Sequence, residues 1–357
     1  VLHRNLSPRF FDRPVDCSTP SLLDGVAEGV LRLRLPVPFG RLGDINAYLL
    51  EDAAGWTVVD TGLNTPVARE TWAAGLARAE IPFTAIQRIV LTHSHPDHIG
   101  LAGWLQRRVA RAGGAAPVYL TRRERELARY WSTAAASDEP LVQLFRRCGV
   151  PDAMLSSVAS DMARLRQATQ PPPTNVRTLR FDEPLWVGGR RFDVLHTPGH
   201  SDGHAALYDA DARLLLAGDH VLPHITPTIS RWPSTAPNPL GRYLHSLREV
   251  EPLAVQRALP GHGAVIDDWA GRVRAIRAHH TERLAVMQQA VGTGATAFDV
   301  AQQAFALDAL ATGEARFAIA ETLAHLDYLV EENRLHRRQE ATVWRFEPAP
   351  SAQASAA

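Results

Sequence analysis

Within Leu91-Thr-His-Ser-His-Pro-Asp-His-Ile-Gly100, three imidazoles (His93, His95, His98) and one carboxylate (Asp97) fall inside six residues. Neutral imidazole and carboxylate are the ligand types that suit zinc and other borderline divalent ions. His93 and His95 are two apart, so in an extended segment they project the same way. Taken alone, the stretch favours a metal site, with a solvated His-rich turn as the lesser alternative.

Three later segments bear on that choice. Thr197-Pro-Gly-His-Ser-Asp-Gly-His204 sets His200 in a Gly/Pro turn, Leu216-Ala-Gly-Asp-His220 sets Asp219 after an apolar run, and Leu259-Pro-Gly-His-Gly263 sets His262 after another. Each repeats one plan: apolar strand, tight turn, ligand-type side chain. Strand ends converging on one edge let loops carry chemistry on a rigid scaffold. Four such loops supplying five His and two Asp disfavour the solvated-turn reading.

The elements that must hold these loops are legible in order. Val30–Pro36, Asn46–Leu50, Trp56–Asp60, Ile89–Leu91 and Pro117–Leu120 read as strands, with amphipathic helices over 65–80 and 101–112. Asp60, at a strand end, is either a turn cap or a group that orients a metal-binding loop from behind. Residues 121–170 are Arg- and Ala-rich and helical in pattern, with a break near Gly149-Val-Pro151. They carry no ligand-type signal, and the Arg run at 122–129 reads as a solvated helix face, so the stretch is expected to be a helical insertion, lid-like or merely structural. A second strand-rich half follows: 185–187, 191–196, 204–208 and 213–217, then a helix over 239–250 and a strand over 256–259. Two such halves suggest two sheets packed face to face with helices outside. Helices over 269–290, 297–306 and 316–332 lead to a hairpin near 334–346.

Composition narrows the functions. The 357 residues suffice for about two domains. Basic and acidic residues balance at 38 each, which points to no polyanionic partner. Every one of those basic residues is Arg, which removes Schiff-base and P-loop lysines. Cys17 and Cys148 are too few for a disulfide framework and imply a reduced, cytoplasmic setting. No signal peptide is visible, and no uncharged apolar stretch is long enough to span a bilayer, so a soluble protein without a membrane partner is expected.

His-x-His-x-Asp-His, followed by Pro-Gly-His, Gly-Asp and Pro-Gly-His-Gly, resembles the metallo-β-lactamase-fold hydrolases across about residues 30–268. The resemblance implies an α/β fold, an αββα sandwich. It implies that His93, His95 and His200 hold one metal, that Asp97, His98 and His262 hold a second, and that Asp219 bridges them. Asp97 and Asp219 would then also serve catalysis, Asp97 by handling a proton. His204 and Asp60 would support the ligands from behind, and His196, His220 and His224 would have structural or pocket roles. Zinc is favoured, with iron or manganese admissible.

Two divalent ions about 3.5–4 Å apart can share a water and lower its pKa toward neutrality, giving a hydroxide that attacks a carbonyl or phosphoryl centre. The C-terminal segment, 269–346, resembles the winged-helix-like domain of the β-lactamase-like-protein-2 and hydroxyacylglutathione-hydrolase-like group. Residues 1–29 are expected to be an N-terminal extension, 121–173 the helical insertion, and 347–357 a disordered tail.

The commonest zinc β-lactamases place Cys where Asp219 stands, which disfavours antibiotic substrates. The basic residues and all-helical tail of glutathione thioester hydrolases, and the RNA-gripping arm of tRNA-processing relatives, have no counterpart that maps here. A small acyl substrate, thioester or lactone, is therefore the leading expectation. A ribonuclease or phosphodiesterase is the alternative, and a metal-stabilised binding protein without catalysis is disfavoured. Arg334, His336, Arg337 and Arg338 invite a nucleic-acid reading of the tail, but zero net charge makes a packing or homodimerisation module the expectation.

Overall fold

The computed structural model describes residues 22–37, 43–133, 136–305, 307, 310 and 312–350. Its chain opens as an antiparallel meander: β1 (Leu23–Ala27), β2 (Val30–Leu35), β3 (Ile45–Asp52) and β4 (Gly55–Val59). The catalytic sheet thus begins upstream of residue 30. Leu23, expected in an extension, pairs with Leu33. Helix α1 (Pro66–Arg78) follows, started by Thr65, whose hydroxyl accepts from Ala68 N, and by Pro66 at the first helical position. Next come β5 (Ile86–Val90), the four-residue α2 (Pro96–Ile99), α3 (Ala102–Arg111) and β6 (Val118–Thr121). The expected helical insertion is α4 (Arg122–Ser132), α5 (Glu139–Arg147) and α6 (Asp152–Gln167).

Strand β7 (Val176–Leu179), which the sequence did not announce, then adds to β6 in parallel. Strands β1 to β7 form one sheet in sequence order, antiparallel up to β4 and parallel from there on. A second sheet contains β8 (Leu185–Val187), β9 (Arg190–His196), β10 (Ala205–Asp209), β11 (Leu214–Gly218) and, after α7 (Pro239–Val250), β12 (Arg257–Pro260), in the order β12-β11-β10-β9-β8. The chain closes with α8 (Trp269–Val291), α9 (Ala297–Phe305), α10 (Thr312–Glu331) and the hairpin β13 (Leu335–Glu340) and β14 (Val343–Pro348). Residues 347 and 348, expected in a disordered tail, are therefore paired in the hairpin; 351–357 lie outside the described residues.

Strand alternation sorts the core into layers. On β3, Tyr48 and Leu50 face the second sheet and join Leu207, Leu216 and Leu259 in the middle core. Ala47 and Leu49 face outward, onto Trp72 of α1 and Leu105 of α3. On β10, Ala205 and Leu207 enter the middle core, whereas Ala206 and Tyr208 meet the helices on the far side. That outer core continues through α7 into α8 and α10, so the C-terminal helices pack on the catalytic sheet. The layers are α, β, β, α. Both sheets are buried on two faces, which is why β3, β10 and β11 read as near-continuous apolar runs.

Candidate metal centre

Four strands end at one edge of the sandwich. Strand β5 delivers the segment 91–95, and Pro96 then starts α2 with Asp97 and His98 in its single turn. Strand β9 delivers the loop with His200 and His204, β11 delivers Asp219, and β12 delivers His262. The backbones approach closely. A Cβ on Gly261 would lie 2.1 Å from Asp219 Oδ1 and 2.9 Å from His98 Cε1, so only glycine leaves room for those side chains.

All seven expected ligand residues converge. His95 Nδ1 lies 3.0 Å from His93 Nε2 and 2.9 Å from His200 Nε2. Asp219 Oδ2 lies 3.3 Å from His98 Nε2, 3.5 Å from His262 Nε2 and 3.6 Å from His200 Nε2. Asp97 Oδ2 is 3.3 Å from His262 Nε2. Three overlapping groups have ligand atoms within 4.8 Å of one another: His93, His95 and His200; His93, His98 and Asp219; Asp97, His98 and His262. His95, Asp97 and His200 form the half-buried rim, and the others are buried.

The far nitrogens fix which way the lone pairs point. His200 Nδ1 donates to Thr228 O at 3.0 Å and His262 Nδ1 to Asp44 O at 3.1 Å; carbonyls can only accept, so in the neutral ring each Nε2 carries the lone pair. His98 Nδ1 is 2.9 Å from Asp60 Oδ2. The Thr92 hydroxyl donates to that same oxygen at 2.8 Å, which leaves it to accept from His93 Nδ1 at 3.0 Å. Four imidazoles therefore aim Nε2 at a common space, and each offers a lone pair there when the ring is neutral. His98 Nε2, His262 Nε2 and Asp219 Oδ1 are buried there without a hydrogen-bond partner. Buried polar atoms are ordinarily satisfied, and a divalent cation would satisfy these.

Electrostatics agree. Burial, then the neighbouring His98 and His95, holds His93 well below its ordinary pKa; burial and His200 take His95 down to about 3. Burial opposes charge on His98 as well, but Asp219 and Asp60 outweigh it and raise its pKa well above the usual value. Burial pushes Asp219 up, and His98 and His262 more than reverse that, leaving it well below the carboxylate range. The pocket is built to hold positive charge at its centre.

Asp60 lies behind His98, the position that one of its two expected roles calls for. Besides His98 it accepts from Thr92 N at 2.9 Å. His204 is buried, with Nδ1 2.7 Å from Thr197 Oγ1, and its Nε2 accepts from Asp219 N at 3.2 Å. His220 is buried against Tyr243, its ring edge-on at a centroid distance of 5.3 Å, with neither nitrogen paired. His196 stacks on Phe181 at 4.5 Å and bonds Asp202 O, whereas His224 is exposed. Cys148 is buried in the outer core away from the site, and Cys17 lies outside the described residues.

One expectation fails here. Residues 122–129 are not wholly a solvated face: Glu124 is fully buried and reaches two of the metal-site loops. The only sequence hint was Thr121-x-x-Glu124, a helix-start pattern, and Thr121 does cap α4. Nothing in that pattern says where the carboxylate points.

Residues 40–262 match the family described as the Metallo-beta-lactamase superfamily, and 284–349 match its companion, the Metallo-beta-lactamase-like C-terminal domain. The chain belongs to the metallo-beta-lactamase superfamily. Solved members share the whole architecture. A metallo-beta-lactamase family protein from Thermus thermophilus is 35% identical, covers 90% of this chain and 99% of its own, and superposes with a TM-score of 0.78. A beta-lactamase domain protein from Burkholderia ambifaria is 32% identical over 93% of this chain and 96% of its own, with a TM-score of 0.83. Among curated relatives, the "Probable metallo-hydrolase YqjP" of Bacillus subtilis is 27% identical over 86% of this chain and 94% of its own. As a superfamily member, the protein is a metallo-hydrolase. Among the described residues, no helix is long and apolar enough to cross a membrane.

Proposed function

We propose that this metallo-hydrolase holds two divalent ions, zinc by preference, and cleaves a small acyl substrate, a thioester or lactone. His93, His95 and His200 would hold one ion, Asp97, His98 and His262 the other, and the Asp219 carboxylate would lie between them. The observation that carries this reading is the set of imidazole Nε2 atoms and the unpartnered Asp219 Oδ1 aimed at one buried space. A pair of divalent ions supplies Lewis acidity and makes water acidic enough to attack near neutral pH. The chain's own part is to hold the Nδ1 protons of four imidazoles, through Thr92, Asp60, Thr228 O and Asp44 O, so that Nε2 is the atom left to face a metal, and to place Asp97 Oδ2 at the half-buried rim. There Asp97 can take up a proton from the attacking water.

The C-terminal segment supports a small substrate over nucleic acid. We read it as a winged-helix-like module in which Arg337 is paired with Asp327 at 2.9 Å and Arg338 with Glu347 at 3.1 Å, while Arg334 bonds the neutral Gln288. Phosphate binding would have to break those pairs. The buried free thiol of Cys148 suits the reducing cytoplasm, where we place the enzyme. Elemental analysis with a hydrolysis screen of thioesters, lactones and single-stranded RNA tests the proposal. We expect two ions per chain and turnover of an ester-type substrate; one ion or none, or turnover of RNA alone, would overturn it.

A further inference from the structure

We propose that Glu124, at the start of the insertion helix α4, is a positioning residue that assembles the three-histidine half of the metal centre; this rests on the metal-site reading above. The Glu124 carboxylate is buried and accepts four hydrogen bonds. Oε2 takes Ser94 N at 2.8 Å and Ser94 Oγ at 2.6 Å, and Oε1 takes Ser201 Oγ at 2.5 Å and Gly203 N at 2.7 Å. Ser94 sits between His93 and His95, and Ser201 sits next to His200. One side chain therefore ties together the loops that carry all three imidazoles. Those loops spring from different sheets, one after β5 and the other after β9.

The helix start is shaped for this task. Thr121 Oγ1 donates to Gly203 O at 2.8 Å, and a Cβ on Gly203 would lie 2.8 Å from Thr121 Oγ1 and from Arg123 Cβ. The His200 loop is thus seated directly on the first turn of α4. By contrast, the ligands of the other half are braced elsewhere: His98 by Asp60 and His262 by the Asp44 carbonyl. Four donors aimed at two oxygens require a carboxylate. An amide in its place would turn an N–H toward two of them. Groups that orient ligands in this way typically control metal affinity by about 10–100-fold.

The test is a competitive zinc titration of the full-length protein against a chromophoric chelator, with circular dichroism and thermal melts alongside. His200→Ala and His262→Ala serve to assign the two binding steps. For Glu124→Gln we expect about a 10–100-fold weakening of the step lost in His200→Ala, with the step lost in His262→Ala within about twofold of wild type. Ser201→Ala, which removes one of the four bonds, should weaken the same step by a smaller factor and serves if Glu124→Gln does not fold. Glu126→Gln, exposed on the same helix, should change neither. Unchanged steps in Glu124→Gln, or in Ser201→Ala where that stands in for it, would overturn the assignment. Equal weakening of both steps would do the same, since that is general destabilisation. A wild-type protein that binds no ion would instead sink the metal-centre reading itself.

Discussion

Asp60→Asn tests the electrostatic architecture cleanly. Asp60 has a left-handed backbone (φ 59°), which asparagine tolerates nearly as well as aspartate, so the substitution changes charge and acceptor number without straining the chain. The side chain is buried and accepts three bonds: Thr92 N on Oδ1, and Thr92 Oγ1 and His98 Nδ1 on Oδ2. Asparagine can keep the first with its remaining oxygen, but its amide then faces His98 Nδ1–H. Both bonds to Oδ2 are lost; the Thr92 hydroxyl can turn, but the His98 donor is left buried and unpaired at about 1–3 kcal/mol on top of its lost charge-assisted bond, so metal-free stability should fall by about 2–5 kcal/mol. Against a total of roughly 5–15 kcal/mol this is large. The alternative relief is for His98 to move its proton to Nε2, which destroys the lone pair aimed at the site. Zinc affinity should then drop about 10–100-fold. Urea unfolding of the metal-free protein and zinc titration read the two effects separately. A variant within about 0.5 kcal/mol of wild type with unchanged zinc binding would refute the reasoning, since surface-like substitutions give that result.

Three further outcomes follow from the same structure. Burial depresses His220 to about 3, His280 to about 2 and His325 to about 4, and holds His204 well below normal, so below about pH 6.5 only the unfolded chain takes up their protons. Stability of the metal-free protein should therefore fall as pH drops from 6.5 toward those folded values. His98 and His262, raised by carboxylates that outweigh burial, act oppositely, their contribution being lost as pH rises through their folded pKa. The depressed histidines are more numerous, so the urea midpoint should be lower at pH 5.5 than at 7.5; an equal or higher midpoint contradicts this. In the C-terminal segment, Leu326 is fully buried in the core shared with the catalytic sheet, so Leu326→Asp should destabilise by several kcal/mol in denaturant unfolding. Reversing Arg334, Arg337 and Arg338 together should leave small-substrate hydrolysis nearly intact. Salt-sensitive binding of single-stranded RNA that the reversal abolishes would contradict it.

Much of this protein is written in local sequence. The candidate ligand residues stand out because metal chemistry needs rare side chains, and each follows an apolar strand and a tight turn that any reader of period and Gly/Pro punctuation can place. Most strands and helices between Val30 and Val250 are placed to within a few residues by the same periodicities, and α7 runs from Pro239 to Val250 as its pattern implies. What the sequence could not reveal are the partnerships between distant segments. Strand β1 is recognised only by its pairing with β2, and β7, half exposed and lacking alternation, only by its place beside β6. Asp60 was a cap or a brace until folding set it against Thr92 and His98, 32 and 38 residues on. Glu124 sat in an Arg-rich run that reads as solvent-facing, and only the packing of α4 against the His200 loop turned its carboxylate inward. A residue's type and spacing state what it can bind. Which donors it meets is decided by chain closure over tens of residues, which no local pattern encodes.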